Sequence, residues 1–199
     1  MAANAPSDFV EAPWDAPLDV FAYLDDVPND ATMSGLFLAS VVKAAHRAKL
    51  DLPSARGSYI AFRRYPLREH CQLLAEAAAG IFPDHSMRQG LRRLGRGAPQ
   101  TLIESMLGRV VFGSAEGPIE TIRAMAKSYP LHMSPGTLEI TEESPGRVVL
   151  AARAIHHFLD SHNVGVFEGV LRHSGAEGGR VTIRSLSRCD ADLLCEWQL

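Results

Sequence analysis

The hydrophobic period of this chain changes once, near residue 135, and that change limits the folds open to it. Upstream, apolar residues recur at helical spacing; downstream, they alternate. After Asp30-Ala31-Thr32, which offers an Asp or Thr cap, Met33, Leu36, Phe37, Val41, Ala44, Ala45 and Ala48 form the stripe of a first helix that ends before Asp51-Leu52-Pro53. Pro66 suits the first turn of a second, with Leu67, Cys71, Leu74, Ala78 and Ile81 inward. Asp84 caps a third on Met87, Leu91 and Leu94; Gly95, Gly97 and Pro99 are expected to kink or break it before Leu102, Ile103, Met106 and Leu107. Gly117-Pro118 opens a fourth, with Ile119, Ile122 and Met125 inward. Beyond the change, Leu138 and Ile140 alternate with Thr137, Glu139 and Thr141, and a Ser144-Pro145-Gly146 turn leads into Arg147 to Ala152. A helix from about Asn163 to Ser174, closed by Gly175, precedes a last hairpin on which Val181 and Ile183, then Leu193, Cys195 and Trp197, alternate. The order predicts an α+β domain: N-terminal helices packed on an antiparallel sheet of about four strands, its C-terminal half running strand-strand-helix-strand-strand.

The 199 residues suffice for one domain, and 46% hydrophobic with 22% charged residues is the balance of a chain that buries a core. Charge is distributed unevenly. The first 42 residues carry Asp8, Glu11, Asp15, Asp19, Asp25, Asp26 and Asp30 and no Lys or Arg, so the total of -3 leaves +4 for the remainder. Residues 1–30, interrupted by Pro6, Pro13, Pro17 and Pro28, read as an acidic arm with a helical turn around Leu18 to Leu24. Phe9, Trp14, Phe21 and Tyr23 are available to dock it on a single domain of residues 31–199. No apolar run reaches the roughly 18 residues of a membrane span and the start lacks a signal peptide's pattern, so the expected location is cytoplasmic. Cys71, Cys189 and Cys195 are odd in number and form no CxxC, which predicts reduced, packed thiols.

Motifs for chemistry are sparse. Gly90 to Gly97 is glycine-rich but is neither a P-loop nor a GxGxxG turn, and no GxSxG elbow occurs. His156, His157 and His162 with Asp160 have the residue types of a zinc site, but their sequence context reads equally as a connection and a helix cap, and no metal is assigned. Arg88, Arg92 and Arg96 share one helical face and suit an anion or an acidic partner; the acidic arm is an equal candidate to cover them. An acidic chain without a basic reading helix argues against nucleic acid. Gly165 and Gly169 lie on one face of the late helix, where another backbone, from this chain or from a two-fold partner, can approach.

Four segments carry a resemblance: Tyr65-Pro-Leu-Arg-Glu69, Met87-Arg-Gln-Gly-Leu-Arg-Arg-Leu-Gly95, Met106-Leu-Gly-Arg-Val-Val-Phe-Gly113 and Phe158-Leu-Asp-Ser-His-Asn-Val-Gly-Val-Phe-Glu-Gly169. In this order they resemble a paralogous family of unknown function expanded in myxobacteria. More distantly, the late helix with its paired glycines and terminal hairpin is similar to the superfamily of haem nitric-oxide sensors, vinyl-reductase-type ligand-binding domains and related trafficking subunits. That resemblance implies an α/β core around an apolar ligand, and pairing through helices. Its sensors carry Tyr-x-Ser-x-Arg, whereas Tyr59-Ile-Ala-Phe-Arg63 has Ala61 for the serine, and the cysteine cluster of the reductase-type domains is missing. Haem and zinc are therefore set aside, and no cofactor is expected. What remains is a non-enzymatic sensory or regulatory domain that binds an apolar or amphipathic small molecule and signals through a homodimer or a protein partner. Phe62, Tyr65, Phe112, Phe158 and Phe167 are its candidate pocket. The alternative is a ligand-free interaction scaffold that uses the arginine face and the acidic arm.

Overall fold

The computed structural model describes residues 8–104, 112, 113 and 115–199; Met106 and Leu107, and most of the segment from Met106 to Gly113, lie outside them. Helix α1 (Val20–Asp25) is capped by the Asp19 carboxylate, which accepts from the Ala22 N–H. Strand β1 (Thr32–Ser34) leads into α2 (Gly35–Arg47), and β2 (Arg64–Pro66) into α3 (Leu67–Ile81). Helix α4 (Met87–Glu104) and α5 (Gly117–His132) follow, and α5 runs directly into β3 (Met133–Ser134). The β4–β5 hairpin (Thr137–Ser144, Arg147–Arg153), a π-helical turn (Leu159–Asn163), α6 (Val164–His173) and the β6–β7 hairpin (Arg180–Ser185, Ala191–Glu196) complete the chain.

The α+β expectation is borne out. One antiparallel sheet has the order β4-β5-β7-β6, and its core face carries Val148, Leu150 and Ala152 opposite Cys195, Leu193 and Ala191. The helices bury the faces their periods select: Leu38, Val41 and Ala45 on α2, and Leu67, Cys71, Leu74 and Ala78 on α3. A second sheet, β2-β1-β3, was not legible from the alternation, because its strands have three residues or fewer. It is a clasp: Met33 pairs with Tyr65 on one side and Met133 on the other. By holding the starts of α2 and α3 beside the end of α5, it frames the interior described below.

Three helix expectations are corrected. The first helix begins at Gly35 with Ser34 at its N-cap position, not Asp30 or Thr32, and Met33 lies in strand β1. The cap of α4 is Ser86, whose hydroxyl accepts from the Gln89 N–H at 3.2 Å, not Asp84. The helix also runs unbroken through Pro99 to Glu104. An interior proline costs about 3 kcal/mol in an isolated helix, but α4 packs along its length on α2, α3 and α6, and packing outweighs propensity.

The acidic N-terminal segment, from Asp8 onward, packs on the rest of the chain. Val10 exchanges both backbone hydrogen bonds with Ile183, at 3.0 and 2.9 Å. Trp14 covers the Arg92 guanidinium at 3.4 Å, and the Tyr23 ring stacks on Phe158 at 4.4 Å. Phe9 lies against Arg184, while Phe21 is exposed.

The tightest contact is between α4 and α6. A Cβ on Gly165 would overlap the Arg92 carbonyl, one on Gly169 would stand 2.5 Å from the Arg96 carbonyl, and one on Gly95 would overlap the His162 carbonyl. Gly165→Ala is expected to destabilise the fold by about 1–3 kcal/mol, the cost of overpacking. By contrast, Gly97 lies in α4 with open space around it, and Gly97→Ala is expected to stabilise by about 0.5–1 kcal/mol through helix propensity. Urea unfolding of the pair checks both; equal shifts would contradict the close approach at Gly165.

Candidate functional site

Where α2 to α6 meet β4, the core does not close. A cavity of about 60 Å³ remains, lined by Met33 and Phe37, His70, Ala98, Pro99 and Ile103, Phe112, Thr121, Met125, Ser128, Tyr129 and His132, Met133 and Leu138, and, from the π turn and α6 side, His157, His162, Asn163, Val166, Phe167 and Val170. The wall is mainly apolar, and the volume has room for a few water molecules. Alongside it, between α2, α3 and α4, runs an outer cleft of about 370 Å³; Phe37, His70, Ala98 and His162 border both spaces.

Half of the polar residues of the wall are histidines. His70 sits on the buried face of α3 between Leu67 and Leu74, His157 in the connection after β5, and His162 in the π turn. Their ring centroids lie 6.3 Å (His70–His157), 6.2 Å (His70–His162) and 5.8 Å (His157–His162) apart. All three are buried, and none of their Nδ1 atoms has a hydrogen-bond partner. Burial, and after it the His162 and His157 charges, pushes His70 well below the ordinary imidazole value. Burial with the His162 and His156 charges brings His157 down to about 3, and burial brings His162 down to about 4. The cluster is therefore neutral at pH 7, and each ring can donate or accept through an unused nitrogen. Tyr129 adds a buried, unpartnered hydroxyl whose proton burial and Cys71 hold more firmly than usual. His132, edge-on to Phe37 at 5.4 Å, is lowered by burial and then by Arg64.

Of the pocket residues nominated from sequence, Phe112 and Phe167 line the cavity. Phe158 is buried under Tyr23, and Tyr65 packs edge-on to Tyr59 at 5.1 Å; neither lines it. Phe62 is 68% exposed on the surface. The arginines nominated for an external anion or partner are turned inward. Arg92, 3% exposed, and Arg96 share the Glu168 carboxylate, with Nε to oxygen distances of 3.0 and 2.6 Å, and Arg88 pairs with Asp160 and donates to the Ala16 carbonyl at 3.0 Å. Burial pushes the Glu168 carboxyl up, but the hydrogen bonds from Arg92 and Arg96 outweigh it and hold it below the usual carboxylate range. Gly165 and Gly169 take their close approach from α4 of the same chain.

The histidine-rich segment divides. His157 and His162 enter the cavity wall, whereas Asp160 goes to Arg88 and His156 does not border the cavity. Sequence reading missed their third companion, His70, although its spacing from Leu67 and Leu74 places it on the apolar face of α3. Among the described residues, no group of three His, Cys, Asp or Glu side chains is arranged to hold a metal ion. Among the described residues no carboxylate completes such a group, and Cys71 and Cys195 are buried with their thiols pushed up. This is a wall suited to hydrogen-bonding a guest.

A family model described as a protein of unknown function (DUF2378) matches residues 27–198. No curated protein matches the chain. Solved structures do. An H-NOX protein from S. oneidensis in the Fe(II)NO ligation state is 11% identical, with 84% of this chain and all of that one covered at a TM-score of 0.67. The Fe(II) unliganded H-NOX protein from K. algicida is 15% identical over 84% of this chain and 97% of that one, TM-score 0.59. An oxygen-binding H-NOX domain related to soluble guanylate cyclases is 11% identical over 83% and 93%, TM-score 0.58. The likeness shows the fold, as the resemblance implied.

It also corrects the expectation of no cofactor, which had set haem aside: the solved proteins of this fold hold iron, and two of the structures concern their heme and its distortion. The fit of such a group to this chain rests on the cavity. Imidazole nitrogens are available to an iron, but no described lining residue is a Lys or Arg able to pair with a haem's carboxylates. About 60 Å³ is also far below the ~300–1,000 Å³ of pockets for drug-sized ligands. As shaped here, the cavity does not fit a haem.

The neutral imidazoles make stability depend on pH in a definite direction. Below about 6.5 the unfolded chain takes up protons that the folded chain refuses until about 4 at His162 and about 3 at His157. Stability is therefore full above pH 7 and falls as pH drops from 6.5 to 5, by up to ~1.4 kcal/mol per unit for each ring. Urea midpoints from pH 7.5 to 5 check this, with a shallower slope expected for His70→Phe; a flat profile would contradict neutral burial.

Proposed function

We propose that this chain, which belongs to the DUF2378 family of unknown function, is a non-enzymatic sensory or regulatory domain that binds an apolar or amphipathic small molecule at the histidine cluster shared by the cavity and the outer cleft and reports it through a dimer or a protein partner. The observation that carries this reading is the unsatisfied polarity of an otherwise apolar wall. A buried polar atom without a partner costs about 1–3 kcal/mol, and natural cores leave few. Here three histidines and a tyrosine, each with a buried polar atom that has no partner, line one space, and a guest that reached those atoms would satisfy them.

The fold supports the same reading, since the solved H-NOX proteins that share it bind nitric oxide or oxygen. Transmission has a route. His162 sits in the π turn whose backbone touches α4 at Gly95, so a guest that moves the ring strains the α4–α6 contact. π-turns of this kind recur at functional sites. A cytoplasmic location belongs to the same proposal; among the described residues no helix is long and apolar enough to cross a membrane. The scaffold alternative loses its surface, because the arm and Glu168 already occupy the arginine face.

The test is native mass spectrometry with an absorption spectrum on protein purified from a cell extract without added ligand. A stoichiometric extra mass is expected, and Ala98→Leu, which grows a side chain between cavity and cleft, is expected to abolish it with the circular dichroism unchanged. A Soret band would contradict the conclusion that the cavity does not fit a haem. A bare, colourless protein, or a mass retained by Ala98→Leu, would contradict the proposal.

A further inference from the structure

We infer that the outer cleft anchors an amphipathic carboxylate, with the Arg47 and Arg93 guanidinium groups holding its head at the rim and its apolar body running inward to His70 and His162. The inference rests on the small-molecule reading above and names the class of ligand.

This chain leaves few arginines unused. Among the described residues, Arg47, Arg63 and Arg93 are the arginines with neither a carboxylate nor a carbonyl partner; the others pair with acids, as Arg56 does with Glu69 and Arg153 with Asp192, or donate to backbone carbonyls, as Arg64 and Arg172 do. Arg63 lies over the Tyr65 ring at 5.6 Å, away from the cleft, and Arg93 lies 5.8 Å over the Phe82 ring, which itself borders the cleft. Arg47 and Arg93, from α2 and α4, border the same cleft, and both are exposed. A guanidinium fork matches a carboxylate in charge and shape, and a head held at an exposed rim keeps most of its hydration.

The rest of the cleft is suited to a hydrocarbon. Val41, Leu74, Ile81 and Leu94 wall it, and its volume of about 370 Å³ is within the ~300–1,000 Å³ usual for small-molecule sites. Its inner end is the pair His70 and His162, which also borders the cavity. Neutral rings accept an apolar body there without burying a charge, and their unused nitrogens remain for any polar atom at its far end. Arg88, Arg92 and Arg96, the anion contacts nominated from sequence, are neutralised one helical face away. Arg93 follows Arg92 in sequence but borders the cleft, where no acid among the described residues pairs with it.

Decanoate is the probe and 1-decanol its headless control, both titrated calorimetrically into the full chain. The wild type is expected to bind both, decanoate more tightly, and Arg47→Gln/Arg93→Gln to weaken decanoate about tenfold or more while leaving 1-decanol unchanged. Both residues are exposed, so the variant is expected to keep the wild-type melting temperature. Equal decanoate binding by variant and wild type, or a wild type that binds 1-decanol but not decanoate, would overturn the carboxylate anchor alone. A wild type that binds neither would overturn the small-molecule reading with it.

Discussion

At the crossing of α4 and α6, Gly95, Gly165 and Gly169 remove the side chains that would hold two backbones apart, and the carbonyls of His162, Arg92 and Arg96 fill the space. Two consequences follow from one geometric fact. The close approach buries Arg92 against Glu168 under the Trp14 ring, so a charge pair is desolvated where its geometry is fixed from both helices. Such a pair is weak evidence for stability, yet losing one partner typically costs about 3–5 kcal/mol because the other is left buried alone. The same approach seats the π turn on α4, which brings His162 to within ring distance of His70 from a different helix.

From that seam outward the interior is a compromise. The clasp of β1, β2 and β3 holds α2, α3 and α5 around a space that the sheet closes from below, and the side chains leave it partly unfilled. Its aliphatic and aromatic wall favours apolar contents. Its imidazoles favour contents that can hydrogen-bond, and burial keeps them uncharged. A guest with both characters relieves both demands, which is why a ligand accounts for this wall better than ordinary packing does.

The helices, the two C-terminal hairpins and the helix between them were legible because their hydrophobic periods extend over enough residues to be distinguished. The clasp was not, since two or three residues define no period. Pro99 misled because local propensity was overruled by packing on three neighbours. Arg88, Arg92 and Arg96 share a helical face in the sequence, but the sequence does not show that Trp14, Asp160 and Glu168 occupy it. Phe112 and Phe167 could be nominated as large apolar residues; Phe62, equally apolar, is on the surface, and composition gives no means to tell them apart. His157 and His162 were noticed as neighbours in sequence, whereas His70 joins them only once α3 has folded against the π turn.

The account turns on three neutral imidazoles facing a space that admits a guest, and long-range proton–nitrogen NMR of the histidine rings observes them directly. At pH 6 the rings of His70, His157 and His162 should give the neutral pattern, and adding decanoate should shift the resonances of His70 or His162. Three rings that give the protonated pattern at pH 6, with no response to decanoate, would contradict it.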